Sequence, residues 1–217
     1  MKGKLTLLVV VVIAGLTACG GDDDDSADET VTDPGGCAEV DPPPARGDGG
    51  ATAPTATLDP AETWSLNFET SCGSFVVTLD LESAPDTAAS LVALAEDGYF
   101  DDTVFHRIVP DFVIQGGDPT QTGSGGPGYK TVDVPATDVT YTRGVVAMAK
   151  AGTEPAGTAG SQFFVVTGAD VGLPPEYAVV GEVTEGLDVV ELIGTLGDPA
   201  TEKPTQPVVI ESVTSSS

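Results

Sequence analysis

Positive charge and histidine are scarce in this chain of 217 residues. Eight lysines and arginines stand against 34 acidic residues, and the formal net charge is −26. Nucleic-acid binding depends on clustered Lys and Arg opposite the phosphates, so this balance excludes a nucleic-acid partner. One histidine and three scattered cysteines leave no ligand set for a transition metal. We therefore expect no metal site and no other cofactor.

Three familiar chemical motifs are also missing. The chain has no G-x-S-x-G nucleophile elbow, which argues against a serine hydrolase of that type. GSGGPG at 123–128 matches G-x-G-x-x-G, but Pro127 and YKTVDVPATD follow where a dinucleotide site needs a helix. Four aspartates at 22–25 lack the spaced ligands and turn glycine of a calcium loop. None of these patterns predicts a site.

Long apolar runs are confined to the N-terminus. Residues 5–16 are uncharged and follow two lysines. The run is shorter than the roughly 18–20 residues that span a bilayer, but it suits the core of a signal peptide. LTACG at 16–20 resembles the lipobox of bacterial lipoproteins, in which the cysteine is acylated. We expect a signal peptide at 1–18, a lipid on Cys19 and an extracytoplasmic, membrane-anchored protein. The alternative is an ordinary secretory signal with an incidental cysteine.

Residues 19–62 are rich in Asp, Pro, Gly, Ser and Thr and contain little to bury. Such composition cannot offset the entropy of ordering a chain, so it predicts a disordered linker. Cys37 and Cys72 remain after Cys19 is set aside, and an oxidising compartment permits one disulfide between them. The sequence leaves open whether they pair.

Residues 63–214 carry the periodic patterns of a folded domain. PDTAASLVALAEDG spaces its apolar residues on one helical face, with Pro85 near its start and Gly98 just past its end. A second short helix is predicted over 187–193. Short apolar or alternating segments predict strands at 64–69, 75–80, 105–109, 112–116, 144–149, 162–167, 177–183 and 208–213. Many short strands and two helices favour a mainly β fold with a closed antiparallel barrel.

FHRIVPDFVIQGGD at 105–118 places a permanent cation among apolar residues. Side chains alternate along a strand, so Arg107 is predicted to share a face with Phe105 and Val109. Val113 likewise shares a face with Gln115. A third face is predicted for Gln162 and Phe164.

Spacing does not show that these three faces converge on one groove. The alternative is that Arg107 pairs with a surface carboxylate, which contributes about 0–1 kcal/mol.

FHRIVPDFVIQGGDPT, GSGGPGY, RGVVAMAKAG, GSQFFVVT and EYAVVGEV occur in this order along the chain. Together they resemble the cyclophilin family of peptidyl-prolyl cis–trans isomerases, over roughly residues 64 to 213. The resemblance implies a closed eight-stranded antiparallel barrel capped by two helices. It also implies an enzyme of the EC 5.2.1.8 type that needs no cofactor and acts on proline-containing polypeptides. A monomer is expected.

The resemblance makes Arg107 the catalytic residue. The other residues of the implied site wall the proline pocket, orient the substrate or pair with its backbone. They are Phe112, Val113, Gln115, Ala149, Lys150, Gln162, Phe164, Leu173, Tyr177 and His106. For His106 the alternative is a hydrogen-bonded structural residue. Lys150 stands where asparagine is common in the family, and Tyr177 where many members carry histidine.

Two functions remain open at this stage. The first is an envelope-anchored isomerase that accelerates proline-limited folding of exported proteins. The second is a catalytically weak module or chaperone on the cell envelope that binds proline-containing peptides. Turnover of a proline peptide distinguishes them.

Overall fold

The computed structural model describes residues 36–217. The predicted signal peptide, the predicted lipid-attachment residue Cys19 and residues 20–35 of the predicted linker lie outside the described residues. Within 36–217, no helix is both long enough and apolar enough to cross a membrane.

Two helices and eleven short strands make up the folded part of residues 36–217. Helix α1 spans Pro85–Glu96 and helix α2 spans Leu187–Gly194, so both predicted helices are confirmed. Pro85 opens α1, where its fixed φ fits the first turn, and Gly98 follows the helix at φ 64°. The strands are β1 (Ser65–Thr70), β2 (Gly73–Leu79), β3 (Thr103–Val104), β4 (Arg107–Val109), β5 (Val113–Gly116), β6 (Thr131–Val132), β7 (Val145–Met148), β8 (Thr158–Ala159), β9 (Phe163–Val166), β10 (Val179–Glu185) and β11 (Val209–Ser216).

Nine of these strands form one antiparallel, strongly curled sheet in the order β3-β11-β1-β2-β10-β7-β9-β5-β4, and β6 pairs with β8. The prediction of a closed eight-stranded barrel is wrong in both strand count and closure. Strands β3 and β4 are the two edges, and among the described strands no ladder joins them. Both edges come from one continuous segment that is interrupted at Phe105 and His106. In that segment β3 pairs with β11 and β4 pairs with β5, and β3 and β4 form no ladder with each other.

The main core fills the inside of the curled sheet and is built around phenylalanine rings. Phe68 stacks on Phe75 with ring centroids 4.6 Å apart, and Phe163 meets Phe68, Phe100 and Phe105 at tilted or edge-on angles. Phe105 is completely buried there. The prediction that Phe105 shares the face of Arg107 is therefore wrong, because the chain leaves the strand conformation between them.

A second, smaller apolar cluster lies on the opposite face of β5, β7 and β9. Alternation along the strands separates the two clusters: Phe163 and Ile114 point into the main core, whereas Phe164 and Val113 belong to the second cluster. Its buried members are Val113, Tyr141, Ala147, Phe164 and Val166, and the partly buried residues packed on them include Phe112, Leu173 and Tyr177. The candidate site is built on this second cluster.

Residues 36–51, here called the strap, contain no helix or strand and lie along the domain. The structure joins Cys37 to Cys72 by a disulfide. Main-chain bonds then fix the strap beside the loop that follows β5: Arg46 N donates to Pro119 O (2.8 Å), Gly49 N to Gly126 O (2.8 Å) and Ala51 N to Pro127 O (3.1 Å). A segment with little apolar surface is thus held by backbone pairing and one covalent link.

Candidate active site

The register of four neighbouring strands places the candidate residues in one row. Arg107 on β4 lies opposite Gln115 on β5, Gln115 lies opposite Phe164 on β9, and Phe164 lies opposite Ala147 on β7. Partners in an antiparallel pair point to the same side of the sheet. The three faces that the sequence left unconnected therefore meet on the outer wall of the curled sheet.

A chain of polar contacts links the arginine to the far side of the groove. Arg107 Nη1 donates to Gln115 Oε1 (3.4 Å), Gln115 Nε2 donates to Gln162 Oε1 (3.1 Å), and Gln162 Nε2 donates to Gly125 O (2.8 Å). Each amide accepts from one neighbour and donates to the next, so the orientation of each side chain depends on the others. A continuous chain of hydrogen bonds therefore runs along the groove from Arg107 to Gly125.

Arg107 has two further partners. Its guanidinium carbon lies 6.0 Å from the centre of the Phe112 ring, within the range of a cation–π contact. Its Nε donates to Glu202 Oε2 at 2.8 Å. The sequence analysis offered two alternatives for Arg107, a place in the groove or a surface ion pair, and both are present. The guanidinium lies beside the Phe112 ring and also pairs with the Glu202 carboxylate.

The predicted pocket residues come together in one apolar cluster, whose surface beside this guanidinium is here called the hollow. Val113 and Phe164 are 2% and 4% exposed and form its floor. Phe112, Leu173 and Tyr177 are partly buried and pack on that floor. The ring of Tyr177 meets Phe164 edge-on, with centroids 5.6 Å apart. The floor is rigid because it is part of a packed cluster.

A cavity of about 300 Å³ adjoins the hollow, and Gln115, Ala149 and Gln162 contribute to its lining. Lys150 also lines it. Although charged, the Lys150 side chain is only 2% exposed. Its Nζ pairs with Glu176 Oε2 (2.8 Å), donates to Glu154 O (3.1 Å) and lies 5.5 Å from the centre of the Tyr177 ring. These partners compensate the loss of water around the ammonium group.

Residues 149–151, for which the family resemblance implies pairing with a peptide backbone, already use two of their amides internally. Ala149 N donates to Gln162 O (2.9 Å), and Ala151 N donates to Glu154 Oε2 (2.7 Å). The first of these bonds ties the segment to the groove, and the second closes the turn that follows it.

The structure places His106 beside Gly123, one of the residues that line the cavity. Both ring nitrogens are buried and have no hydrogen-bond partner among residues 36–217. The alternative of a hydrogen-bonded structural histidine therefore finds no protein partner among these residues. Burial lowers the pKa of His106, the nearby Arg107 lowers it further, and Asp118 opposes the shift. The lowered pKa favours the neutral form of the imidazole, which lies beside Gly123.

Comparisons with known proteins decide the family. A family model described as cyclophilin type peptidyl-prolyl cis-trans isomerase/CLD matches residues 65–215, which is more than half of the chain. The chain belongs to the cyclophilin family.

Curated relatives and a solved structure agree with this cyclophilin assignment. Peptidyl-prolyl cis-trans isomerase A of Mycobacterium tuberculosis is 37% identical over 182 residues, covering 76% of this chain and 98% of the relative. Peptidyl-prolyl cis-trans isomerase ppi1 of Schizosaccharomyces pombe is 37% identical over 150 residues, covering 67% and 95%.

The crystal structure of a Cryptosporidium parvum cyclophilin type isomerase is similar with a TM-score of 0.65 at 28% identity, covering 72% of this chain and 99% of that one. The same protein was also solved in the presence of the dipeptide Ala-Pro. This cyclophilin is therefore a peptidyl-prolyl cis-trans isomerase, and proline-containing peptides are its class of substrate.

Sequence reasoning missed Asp118, which organises the loop of this cyclophilin that carries Gly125. The fully buried carboxylate accepts five hydrogen bonds, from Thr120 N, Thr120 Oγ1, Thr122 N, Gly123 N and Gly125 N, at 2.6–3.2 Å. Burial alone would raise the pKa of Asp118, but the bonds from Thr120, Gly125 and Gly123 outweigh it and hold the pKa below its usual value. An aspartate followed by Thr and Gly is the signal that predicts such a turn.

Tyr141 was also missed. It is 1% exposed, its hydroxyl donates to Tyr177 O (2.8 Å) and accepts from Tyr177 N (3.0 Å), and its ring packs against Phe164. It thereby fixes the backbone of a residue on the rim of the hollow. The available signal was the residue type alone, since a tyrosine that buries its ring needs a partner for its hydroxyl.

Within 36–217, no group of three or more His, Cys, Asp or Glu side chains is arranged to hold a metal ion.

Proposed function

We propose that Arg107 is the catalytic residue of this isomerase and that the enzyme acts on X–Pro bonds of exported polypeptides, held at the cell envelope by a lipid on Cys19. One observation carries the catalytic part: the Arg107 guanidinium lies 6.0 Å from the Phe112 ring at the edge of the apolar hollow and contacts Gln115. A cation is thus held beside the place where a proline ring fits.

The chemistry follows from the nature of the X–Pro bond. Rotation breaks amide resonance, against a barrier of about 18–20 kcal/mol. In the planar ground state the proline nitrogen lone pair is delocalised and accepts a hydrogen bond poorly. In the twisted transition state the lone pair localises and becomes an acceptor. A fixed guanidinium donor therefore stabilises the transition state more than the substrate, which lowers the barrier.

The hollow and the glutamines supply the geometry for this step. The proline ring packs on Val113 and Phe164, which are already desolvated and rigid. Gln115 and Gln162 orient the guanidinium and the peptide through their linked amides. No covalent intermediate or proton transfer is required. An acceleration of about five decades needs about 7 kcal/mol of differential binding, shared among these contacts.

The envelope location rests on the N-terminal sequence and on the cysteines. LTACG at 16–20 fits lipid attachment at Cys19. The Cys37–Cys72 disulfide supports export, because such bonds persist in oxidising compartments and are rare in reducing ones. At least two acyl chains per lipoprotein give stable anchoring where one chain is marginal.

A protease-coupled assay with an Ala-Pro peptide tests the catalytic role. We expect Arg107→Ala to lower kcat/KM by about 10²–10³-fold, the usual loss when one donor to a developing charge is removed. Arg143→Ala is the matched control, since Arg143 also pairs with a glutamate on the surface but lies outside the site. An Arg107→Ala variant as active as the wild type would refute the catalytic role of Arg107. A wild type without turnover would favour the peptide-binding module.

Fractionation of a bacterial host tests the location. We expect the wild-type protein in the membrane fraction, with acyl chains on Cys19 by mass spectrometry, and Cys19→Ala in the soluble fraction. Wild-type protein with an unmodified Cys19 would refute the anchor while leaving the isomerase chemistry intact.

A further inference from the structure

Glu202 makes the shortest polar contact of the catalytic guanidinium, and no sequence pattern pointed to it. Its Oε2 accepts from Arg107 Nε at 2.8 Å, whereas the bond from Arg107 Nη1 to Gln115 is 3.4 Å long. A separation of 3.4 Å lies at the weak end of hydrogen bonding. The carboxylate is therefore the main polar restraint on the orientation of Arg107.

The contact uses the part of the guanidinium that catalysis does not need. Nε carries one N–H, and the two Nη groups carry the other four. Because Glu202 accepts from Nε, both Nη groups are left for other partners, and Nη1 donates to Gln115. An ion pair made through the Nη groups would instead compete with the substrate.

The backbone around Glu202 is tied to the strand that carries Arg107. Ile108 N donates to Glu202 O (3.0 Å), and Glu202 N donates to Asp198 O (2.7 Å). Asp198 N in turn donates to Lys203 O (2.9 Å). The carboxylate thus projects from a closed turn that is attached one residue away from the arginine it contacts.

The conformation of Glu202 gives an independent indication of a role. Its φ is 58°, in the left-handed region that favours glycine. A side chain there costs about 1–2 kcal/mol. A side chain kept at such a position, with its carboxylate on the catalytic arginine, indicates a function for that carboxylate.

We infer that Glu202 is a positioning residue that orients the Arg107 guanidinium toward the twisted X–Pro bond. The inference rests on the catalytic role proposed for Arg107. Since Arg107 acts on the transition state while the apolar hollow binds the ground state, loss of Glu202 lowers kcat and leaves KM nearly unchanged.

Glu202→Gly is the main variant, because it removes the carboxylate and also relieves the strained backbone. We expect kcat to fall about fivefold, equivalent to about 1 kcal/mol at 1.36 kcal/mol per decade, with KM within about twofold of wild type. Tm should be unchanged or higher, which separates lost orientation from lost stability. Glu202→Gln keeps an acceptor oxygen and should restore most of kcat.

The Nε–H resonance of Arg107 in ¹⁵N-edited NMR gives a readout independent of activity. It should be protected from exchange in the wild type and in Glu202→Gln, and exposed in Glu202→Gly. Glu191→Ala is the matched control, since its ion pair with Arg143 has similar exposure and involves neither Arg107 nor Gln115. It should change neither kcat nor this resonance.

A double-mutant cycle identifies the route of action. Adding Glu202→Gly to Arg107→Ala should cause no further loss of kcat. An equal loss in both backgrounds, or a Glu202→Gly variant as fast as or faster than wild type, would overturn the inference and leave the catalytic role of Arg107 standing. An Arg107→Ala variant with full activity would overturn both.

Discussion

Replacing Asp118 with asparagine removes the charge that holds the loop from Asp118 to Gly125. Oδ1 accepts from Thr120 N and Oγ1, and Oδ2 accepts from Thr122 N, Gly123 N and Gly125 N. An asparagine amide has one oxygen and one NH₂ group. Whichever way it turns, the NH₂ faces at least one backbone N–H, which then lacks an acceptor.

The size of the effect follows from these contacts. Hydrogen bonds to a charged group contribute about 1.5–3 kcal/mol, and an unsatisfied buried donor costs about 1–3 kcal/mol. Thr122 and Gly123 are exposed and can turn to water, whereas Gly125 is buried. Because the exposed part of the loop can relax in this way, we expect a loss of about 3 kcal/mol in unfolding free energy. For a domain of this size, that loss corresponds to a Tm lower by about 6–12 °C.

Thermal unfolding and amide hydrogen exchange are the assays. The Gly125 amide should exchange faster in Asp118→Asn, and kcat/KM should fall because Gly125 O positions Gln162. Asp59→Asn is the matched control, since Asp59 is exposed and, within the described residues, its carboxylate accepts from Ala61 N alone. Its stability should change by less than about 0.5 kcal/mol. An Asp118→Asn variant as stable as this control would refute the reasoning.

Three further predictions concern the strap, the pH dependence and the hollow. Replacing Cys37 and Cys72 with alanine should lower the unfolding free energy by about 4 kcal/mol, because the disulfide closes a loop with a separation of 35 residues. Urea unfolding measures this loss. Two free thiols in the unreduced wild type would contradict the prediction. Because the pKa of His106 is lowered on folding, the unfolded state takes up the proton first, so stability should fall as pH drops below about 6.5. His106→Gln should remove that part of the slope between pH 7 and pH 5.5, since the chain has one histidine. Tyr141→Phe should cost about 1–2 kcal/mol, because Tyr177 N loses its acceptor and Tyr177 O its donor; a double-mutant cycle with Tyr177→Ala shows whether the loss comes from that contact.

Much of the local structure was readable from sequence. Helix α1 was predicted because Pro85 and Gly98 mark its ends, and the strands because apolar residues alternate or cluster along them. The order of several motifs pointed to Arg107, Gln115 and Gln162, and strand pairing brings them together.

The errors arose where a pattern continued through a break in conformation. The apolar character of 105–109 suggested one strand, but the structure interrupts it at Phe105 and His106, sends Phe105 into the main core and leaves the curled sheet open. Side-chain periodicity cannot reveal such a break, because the break depends on the strands that pair with the segment, which are β11 on one side and β5 on the other.

The sequence by itself determined both helices and eight of the eleven strands, because their periodicity and end signals are local properties of the chain. The two-residue strands β3, β6 and β8 are too short to show a periodic pattern and were missed. It also indicated the family, because the order of the motifs can be recognised from the sequence alone. Only the tertiary structure decided which of 34 acidic residues pairs with Arg107. Glu202 lies 95 positions away in a polar turn, and its conformation is left-handed. Such a contact depends on sheet register and turn geometry, which bring distant residues together and leave no pattern along the chain.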